Sequence, residues 1–221
     1  MRLIQAVLFD LDGTLANTLV SIASFANEAL ADCGLPAIET DAYRYLVGNG
    51  RDTLIRRMLH TLGQPEDGDL FGRVGAAYDA AYAAEPLRLV TAYPHIPQLL
   101  EGLKDRGIPC AVLSNKPDDM THAVVGGLFA RDTFAVVRGQ RDGVPKKPAP
   151  DAVFSILNTL GVEPAHCLYV GDTKVDMQTG KNAGAVTAGV LWGFRDEDEL
   201  RVNGADHIVG DPLELLKLVD A

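Results

Sequence analysis

Apolar residues recur along the chain in two different patterns. Between residues 18 and 85 they return every three or four positions, which is the spacing of a buried helix face. This spacing is clearest in residues 22–30, 54–62 and 71–81. Because no strand-like run interrupts this part of the chain, the pattern predicts an all-helical segment.

The rest of the chain alternates short apolar runs with helical patterns. The apolar runs have the length of strands and cover residues 6–9, 109–113, 134–137, 166–170, 185–190 and 207–209. The helical patterns cover residues 96–106, 118–128, 151–160, 175–183 and 213–219. Such alternation is typical of a parallel sheet with helices on both faces. We therefore expect an α/β fold with a Rossmann-like core.

The two patterns also predict how the chain divides into domains. The first strand belongs to the sheet by its pattern, and the helical segment follows it directly. We expect residues 1–15 and 87–221 to form the α/β core, and residues 16–86 to form a helical cap domain inserted after the first strand.

Composition and charge exclude several classes of function. The 221 residues are 47% hydrophobic and 23% charged, as in ordinary globular proteins, and the formal net charge of −10 without a basic patch disfavours nucleic acid. No apolar stretch approaches the ~20 residues that span a bilayer, and the N-terminal run is too short for a signal peptide. The three cysteines and five histidines lack disulfide or zinc spacing. We expect a cytoplasmic monomer or homodimer that binds no membrane.

Carboxylates follow two of the predicted strands at their carboxyl ends, the edge where open parallel sheets bind ligands. Asp10 and Asp12 come after the first strand, and Asp172 and Asp176 come after the strand that ends at residue 170. Taken singly, these acids also suit an Asp-Gly turn or an acidic first turn of a helix. Together they are the oxygen ligands that Mg²⁺ prefers.

Two further motifs bring polar groups to the same edge. Ser114 and Asn115 follow the strand at 109–113, where a helix N-terminus favours a phosphate, although both residues are also ordinary helix caps. Lys147 precedes a Pro-x-Pro loop and can act as a point charge on a phosphate or carboxylate, although most lysines are solvated. The set of motifs is more specific than any one of them.

The order of these motifs resembles the haloacid dehalogenase-like hydrolase superfamily. D-L-D-G-T, a serine after an apolar strand, K-P-x-P and G-D-x-x-x-D follow one another over nearly the whole chain. Residues 47–51, V-G-N-G-R, are similar to a segment of the phosphoglycolate phosphatase branch. The resemblance implies an Mg²⁺-dependent phosphatase that acts on a small phosphorylated metabolite, with phosphoglycolate favoured, through an aspartyl-phosphate.

The resemblance also implies a role for each motif residue. Asp10 is the implied nucleophile, Asp12 the general acid and base, and Lys147 the cation that neutralises charge between Asp10 and the phosphate. The residues implied in phosphate and substrate binding are Thr14, Ser114, Asn115, Gly48, Asn49, Gly50 and Arg51. The implied metal ligands are Asp10, Asp12 through its backbone carbonyl, Asp172 and Asp176. For Arg51, pairing with a substrate carboxylate and an ordinary surface position are equally open.

Other functions of the same superfamily are less consistent with the sequence. A sugar phosphomutase of the β-phosphoglucomutase type would keep all four motifs, but such mutases often have Val or Ile in place of Thr14. A phosphonate hydrolase needs a cap lysine for a Schiff base, and residues 16–85 contain none. Asp12 argues against a dehalogenase. A non-catalytic protein that binds a phosphorylated ligand would usually lack a catalytic residue, and none is missing.

Overall fold

The computed structural model describes residues 4–220, and its elements follow the two predicted patterns. The strands are β1 (Ala6–Phe9), β2 (Ala16–Asn17), β3 (Thr91–Ala92), β4 (Cys110–Pro117), β5 (Val136–Gln140), β6 (Cys167–Gly171), β7 (Val186–Val190) and β8 (His207–Val209). The helices are α1 (Leu19–Asp32), α2 (Tyr43–Leu46), α3 (Arg51–Thr61), α4 (Gly68–Ala84), α5 (Ile96–Asp105), α6 (Asp118–Leu128), α7 (Asp151–Leu160), α8 (Lys174–Ala183), α9 (Glu197–Val202) and α10 (Glu214–Val219). Among residues 4–220, no helix is both long enough and apolar enough to cross a bilayer.

Six strands form a parallel sheet in the order β5-β4-β1-β6-β7-β8. The first strand lies in the middle, where Val7 is aligned with Cys110 on one side and with Leu168 on the other. All four residues of β1 are buried, because helices cover both faces of such a sheet. The α/β fold is therefore confirmed, and the loops after β1, β4 and β6 meet at one edge.

The helices α1 to α4 occupy the chain between two short antiparallel strands. Ala16 of β2 pairs with Ala92 of β3, so the chain leaves and returns at neighbouring points. Within the helical segment α1 packs on α4, and the rings of Phe25 and Tyr82 lie 4.8 Å apart between centroids. The division of the chain into a core and a cap of residues 16–86 stays a prediction.

The predicted bounds of two strands are wrong. β4 continues to Pro117 instead of ending at residue 113, and its pairing with β5 shifts register between Leu113 and Pro117. Ser114 therefore lies inside an extended, buried stretch rather than in a loop after the strand. β5 begins at Val136, and Phe134 lies before the strand, where its ring packs edge-on against Phe129 with 5.4 Å between centroids.

Two short helices are absent from the sequence-based prediction. α2 has four residues and α9 has six, so neither spans enough turns to show a helical repeat of apolar positions. Asp196 caps α9, where its side chain accepts a hydrogen bond from the backbone N–H of Glu199. The sequence holds this capping signal, but the apolar pattern around it is too short to identify the helix.

Candidate active site

Three carboxylates from separate parts of the chain meet at the carboxyl edge of the sheet. Asp10 follows β1, Asp172 follows β6, and Asp176 lies in the first turn of α8. Because β1 and β6 are neighbours, one oxygen of each carboxylate lies within 4.8 Å of the others. All three side chains are buried. The predicted convergence of these acids is therefore present in the structure.

Asp172 is held by groups from two loops. Its Oδ1 accepts a hydrogen bond from the hydroxyl of Thr14 at 3.3 Å, and its Oδ2 accepts one from the backbone N–H of Phe194 at 2.8 Å. A side chain at Gly13, where φ is 90°, would overlap the carboxylate. Burial and repulsion from Asp176 and Asp10 raise the pKa of Asp172 well above its usual range.

Lys147 places its ammonium group among these carboxylates. The Nζ atom lies 2.7 Å from Asp10 Oδ1 and 2.7 Å from Asp176 Oδ1, and it donates to the carbonyl of Leu113 at 3.2 Å. Burial nevertheless raises the pKa of Asp10 to about 7; Lys147 opposes this shift and Asp176 adds to it. One ammonium does not neutralise three carboxylates, so the donor set fits an additional hard cation such as Mg²⁺.

Asp176 has a second role at the start of α8. Its Oδ2 accepts hydrogen bonds from the backbone N–H of Thr173 at 3.1 Å and from the Thr173 hydroxyl at 2.8 Å. Together with the reciprocal contact these bonds form a capping box. The helix-capping interpretation of this acid is therefore correct, and its place among the metal ligands stays a prediction.

The carboxylate of Asp12 turns away from this cluster and pairs with Lys116. The Nζ atom of Lys116 lies 2.9 Å from each carboxylate oxygen of Asp12, and 4.9 Å from the centre of the Tyr82 ring. Lys116 is only 8% exposed. The sequence prediction missed this residue, although it lies two positions after Ser114 in the same motif. The predicted metal contact of Asp12 through its carbonyl stays a prediction.

A cavity opens above these groups, between the sheet edge and the helical segment. Its polar wall comes mainly from strand ends and includes Asp10, Asp12, Ser114, Asn115 and Lys116. The helical segment contributes Ile22, Val47, Gly48, Gly50, Arg51, Leu54 and Tyr78. The cavity is therefore lined by both parts of the chain.

Asn115 links the two walls of the cavity. Its side-chain amide nitrogen donates to the carbonyl of Gly48 at 3.2 Å and to the carbonyl of Lys147 at 3.2 Å. Its Oδ1 accepts from the backbone N–H of Lys147 at 3.0 Å. Both N–H donors and one lone pair of Oδ1 are therefore used within the protein.

Two of the predicted substrate contacts are placed differently. Thr14 is fully buried behind Asp172 and does not line the cavity, so its hydroxyl orients a carboxylate instead of a phosphate. Asn49 faces a neighbouring cavity, where its Oδ1 accepts a hydrogen bond from Arg57 at 2.8 Å. Thr14 pairs with a residue far away in the chain, whereas Asn49 pairs with a residue of the adjacent helix α3.

Arg51 lines the cavity, but its guanidinium group is already paired. Its Nε and Nη2 atoms bind the two carboxylate oxygens of Asp79 at 3.0 and 2.7 Å, and its Nη1 atom binds Asp52 at 2.8 Å. The two carboxylates and hydrogen bonding keep the pKa of Arg51 above its usual range, against the effect of burial. Arg51 is therefore not an ordinary surface residue, and its pairing with a substrate carboxylate stays a prediction.

Comparison with known proteins identifies the family. A family model of haloacid dehalogenase-like hydrolases matches residues 7–190. The chain belongs to this family. It is 33% identical to a phosphoglycolate phosphatase of Aquifex aeolicus, over 98% of this chain and 97% of the relative. The resemblance indicated by the motifs is thereby confirmed.

Solved structures agree with this assignment. A crystal structure of a predicted phosphoglycolate phosphatase from Haemophilus somnus superposes with a TM-score of 0.91 at 26% identity, and 97% of each chain is covered. CbbY from Rhodobacter sphaeroides, crystallised in complex with phosphate, superposes with a TM-score of 0.82 at 26% identity over 99% of this chain and all of the other. This haloacid dehalogenase-like protein is therefore a hydrolase of the phosphatase type.

Proposed function

We propose that this haloacid dehalogenase-like hydrolase is an Mg²⁺-dependent phosphatase that cleaves a small phosphate monoester, with phosphoglycolate as the favoured substrate. The observation that carries the proposal is the convergence of Asp10, Asp172 and Asp176, with Lys147 bound to Asp10. The names of the relatives support the choice of substrate, and the phosphate complex of CbbY supports a phosphate ligand.

Asp10 is the nucleophile of the proposed first step. One of its oxygens attacks the phosphorus atom, the bond from phosphorus to the ester oxygen breaks, and Asp12 gives its proton to that oxygen as the alcohol leaves. Both carboxyl groups line the cavity. The Nζ atom of Lys147, 2.7 Å from Asp10, reduces the repulsion between that carboxylate and the anionic phosphate.

Water completes the reaction in the proposed second step. Asp12, now ionised, takes a proton from a water molecule, whose oxygen attacks the phosphorus, and the bond from phosphorus to Asp10 breaks. Inorganic phosphate leaves and both carboxyl groups return to their starting state. Phosphoryl transfer of this kind depends mainly on positioning and on neutralising charge.

A divalent cation would neutralise the negative charge that Lys147 leaves on the carboxylates. Asp10, Asp172 and Asp176, with the backbone carbonyl of Asp12, would hold Mg²⁺, which neutralises charge on the phosphoryl group when bound. Thr14 orients one of these ligands, because its hydroxyl donates to Asp172. The Ser114 hydroxyl, which lines the cavity and accepts from the backbone N–H of Lys116 at 3.2 Å, is free to donate to a phosphoryl oxygen.

The helical segment of residues 16–86 acts as the cap in this proposal. It supplies one wall of the cavity through Gly48, Gly50 and Leu54, and Asn115 of the sheet donates to the carbonyl of Gly48. The positive φ of Gly48 and Gly50, 106° and 85°, lets this backbone turn close to a small substrate. Closure of the cap would exclude bulk water during the first step.

Replacement of the nucleophile tests the proposal. We expect Asp10→Asn to lower phosphate release from p-nitrophenyl phosphate in Mg²⁺ by at least about a thousandfold, because an amide does not accept the phosphoryl group. Chelation with EDTA should abolish release by the unmodified protein. Asp105→Asn, which changes an exposed acid on α5, is the matched control and should retain activity. Full activity in Asp10→Asn would contradict the proposed nucleophile.

A further inference from the structure

Lys116 is a buried cation in the cavity that the proposed reaction does not use. Its ammonium group pairs with Asp12, and the centre of the Tyr82 ring from α4 lies 4.9 Å from its Nζ atom. A lysine ammonium has three N–H donors. The two oxygens of Asp12 account for two donors. Among residues 4–220, the hydroxyl of Tyr82 lies near the ammonium group but forms no hydrogen bond of normal geometry with it.

The other cation of the cavity is less available to a ligand. Of the described residues that line the cavity, Arg51 and Lys116 have permanent positive charges. Arg51 is held by two carboxylates, Asp79 and Asp52, and three of its nitrogen atoms take part. Lys116 is held by one carboxylate and belongs to the same wall as the nucleophile. A small anion that enters the cavity therefore finds an unused donor on Lys116.

The position of Lys116 also matches the shape of a short substrate. Its partner Asp12 is the proposed proton donor to the leaving oxygen, so the ammonium group lies beside the leaving alcohol rather than beside the phosphoryl group. Lys147 already serves the phosphoryl side through Asp10. In a two-carbon phosphate ester, a carboxylate on the leaving alcohol lies only a few bonds from the leaving oxygen.

We propose that Lys116 binds a carboxylate on the leaving alcohol of the substrate, and that this contact sets the specificity of the site for phosphorylated hydroxy acids. This inference rests on the proposed phosphatase function. It moves the contact with a substrate carboxylate from Arg51 to Lys116. The apolar side chains on the opposite wall, Ile22, Leu54 and Tyr78, favour a small alcohol over a polar sugar.

The test compares two substrates that differ only in the carboxylate. Phosphate release from phosphoglycolate and from ethyl phosphate is measured in Mg²⁺, and the ratio of the two kcat/KM values is the readout. We expect Lys116→Met to lower this ratio by about 10- to 100-fold, as expected from loss of a charged hydrogen bond. A residue that only positions Asp12 would lower both kcat/KM values equally and leave the ratio unchanged.

Three further variants make the test decisive. Lys116→Gln keeps a donor for Asp12 without the charge, so it should also lower the ratio of the two kcat/KM values. It provides the test if Lys116→Met does not fold. Lys116→Arg keeps the charge and should retain most of the preference for phosphoglycolate over ethyl phosphate. Lys104→Met, which removes an exposed lysine on α5, is the matched control and should leave the ratio unchanged.

Each outcome has one meaning. If the unmodified protein releases phosphate neither from these esters nor from p-nitrophenyl phosphate, the proposed phosphatase function fails; release from p-nitrophenyl phosphate alone overturns only the inference on Lys116. If it cleaves both esters equally well, the phosphatase function holds and the inference on Lys116 is overturned. An unchanged ratio in both Lys116→Met and Lys116→Gln overturns it as well. A lower ratio in Arg51→Met with no change in the Lys116 variants would show that Arg51, and not Lys116, binds the substrate carboxylate.

Discussion

At the scale of single residues, Asp172 shows how the site lowers the stability of the folded protein. The carboxyl group is 0% exposed, it has two hydrogen bonds, and within residues 4–220 it forms no ion pair. Burial and the neighbouring acids Asp176 and Asp10 raise its pKa, so its ionised form is unstable in the protein alone. A bound cation would remove this instability.

The raised pKa values predict how stability depends on pH without metal. A carboxyl group whose pKa is higher in the folded than in the unfolded state stabilises the fold at low pH, and this contribution is lost as pH rises through the folded value. For Asp10 that value is about 7, and the shift of Asp172 has the same direction. In EDTA, the Tm of the unmodified protein should therefore fall relative to that of Asp172→Asn as the pH rises above about 4.

Two controls separate this effect from the general acid response. Mg²⁺ should narrow the difference in Tm between the unmodified protein and Asp172→Asn at high pH, because the ion stabilises the carboxylates. Asp220→Asn removes an exposed carboxylate whose pKa is lowered by hydrogen bonding to Arg106, so its difference in Tm from the unmodified protein should stay constant above about pH 4. A difference between the unmodified protein and Asp172→Asn that does not change with pH would contradict the proposed titration.

At the scale of elements, α8 holds Asp176 in place by packing closely on the sheet. Gly180 lies in the interior of this helix, where glycine is unfavourable. A side chain there would overlap Thr187 Cγ2 of β7 and lie 3.1 Å from Tyr169 Cβ of β6. The glycine therefore sets the distance between helix and sheet, and with it the position of the capping box at the other end of α8.

Substitution of Gly180 by alanine should destabilise the protein. Higher helix propensity would contribute about 1 kcal/mol of stability, but overpacking costs about 1–3 kcal/mol, and the contact with strands leaves little room for relaxation. We expect a lower urea midpoint with an unchanged slope. Gly72→Ala in α4, where no atom lies within 4 Å of the new methyl group, is the matched control and should raise the midpoint. A higher midpoint in Gly180→Ala would disprove the close packing.

At the scale of the whole molecule, Arg195 joins the loop after β7 to the helical segment. Its guanidinium donates to the carbonyl of Arg44 and, at 3.4 Å, to the carbonyl of Val47, while it pairs with Glu199 at 3.3 Å. In return Arg44 donates to the carbonyl of Gly193 at 3.0 Å. These contacts hold the segment before Gly48 against the sheet edge, which encloses the cavity.

Removal of this link should loosen the cavity wall. We expect Arg195→Met to increase amide hydrogen exchange in residues 43–50 at least about twofold, because the carbonyls of Arg44 and Val47 each lose a donor. Exchange in β1 should not change, since that strand lies in the middle of the sheet. Arg201→Met, which removes an exposed ion pair with Glu197, is the matched control. Equal exchange in both variants would show that the link does not hold the wall.

The sequence by itself determined the class of fold and the groups that meet at the sheet edge. Buried strands and helices are local patterns, and parallel strands bring their carboxyl ends to one edge whatever the loops do. Asp10 and Asp172 therefore had to meet once β1 and β6 were neighbours. Short helices such as α2, and the continuation of β4 through Ser114, depend on contacts that no local pattern contains.

Only the tertiary structure decided which charges pair at the site. Lys116 and Asp12 are separated by 104 positions, and both could have faced solvent or the phosphate. Arg51 meets Asp79 because α3 and α4 pack together, a contact across 28 positions that occupies the guanidinium. A sequence motif describes residues that are near one another in the chain. The partner of a long charged side chain depends instead on how distant elements are arranged in three dimensions, so no motif contains it.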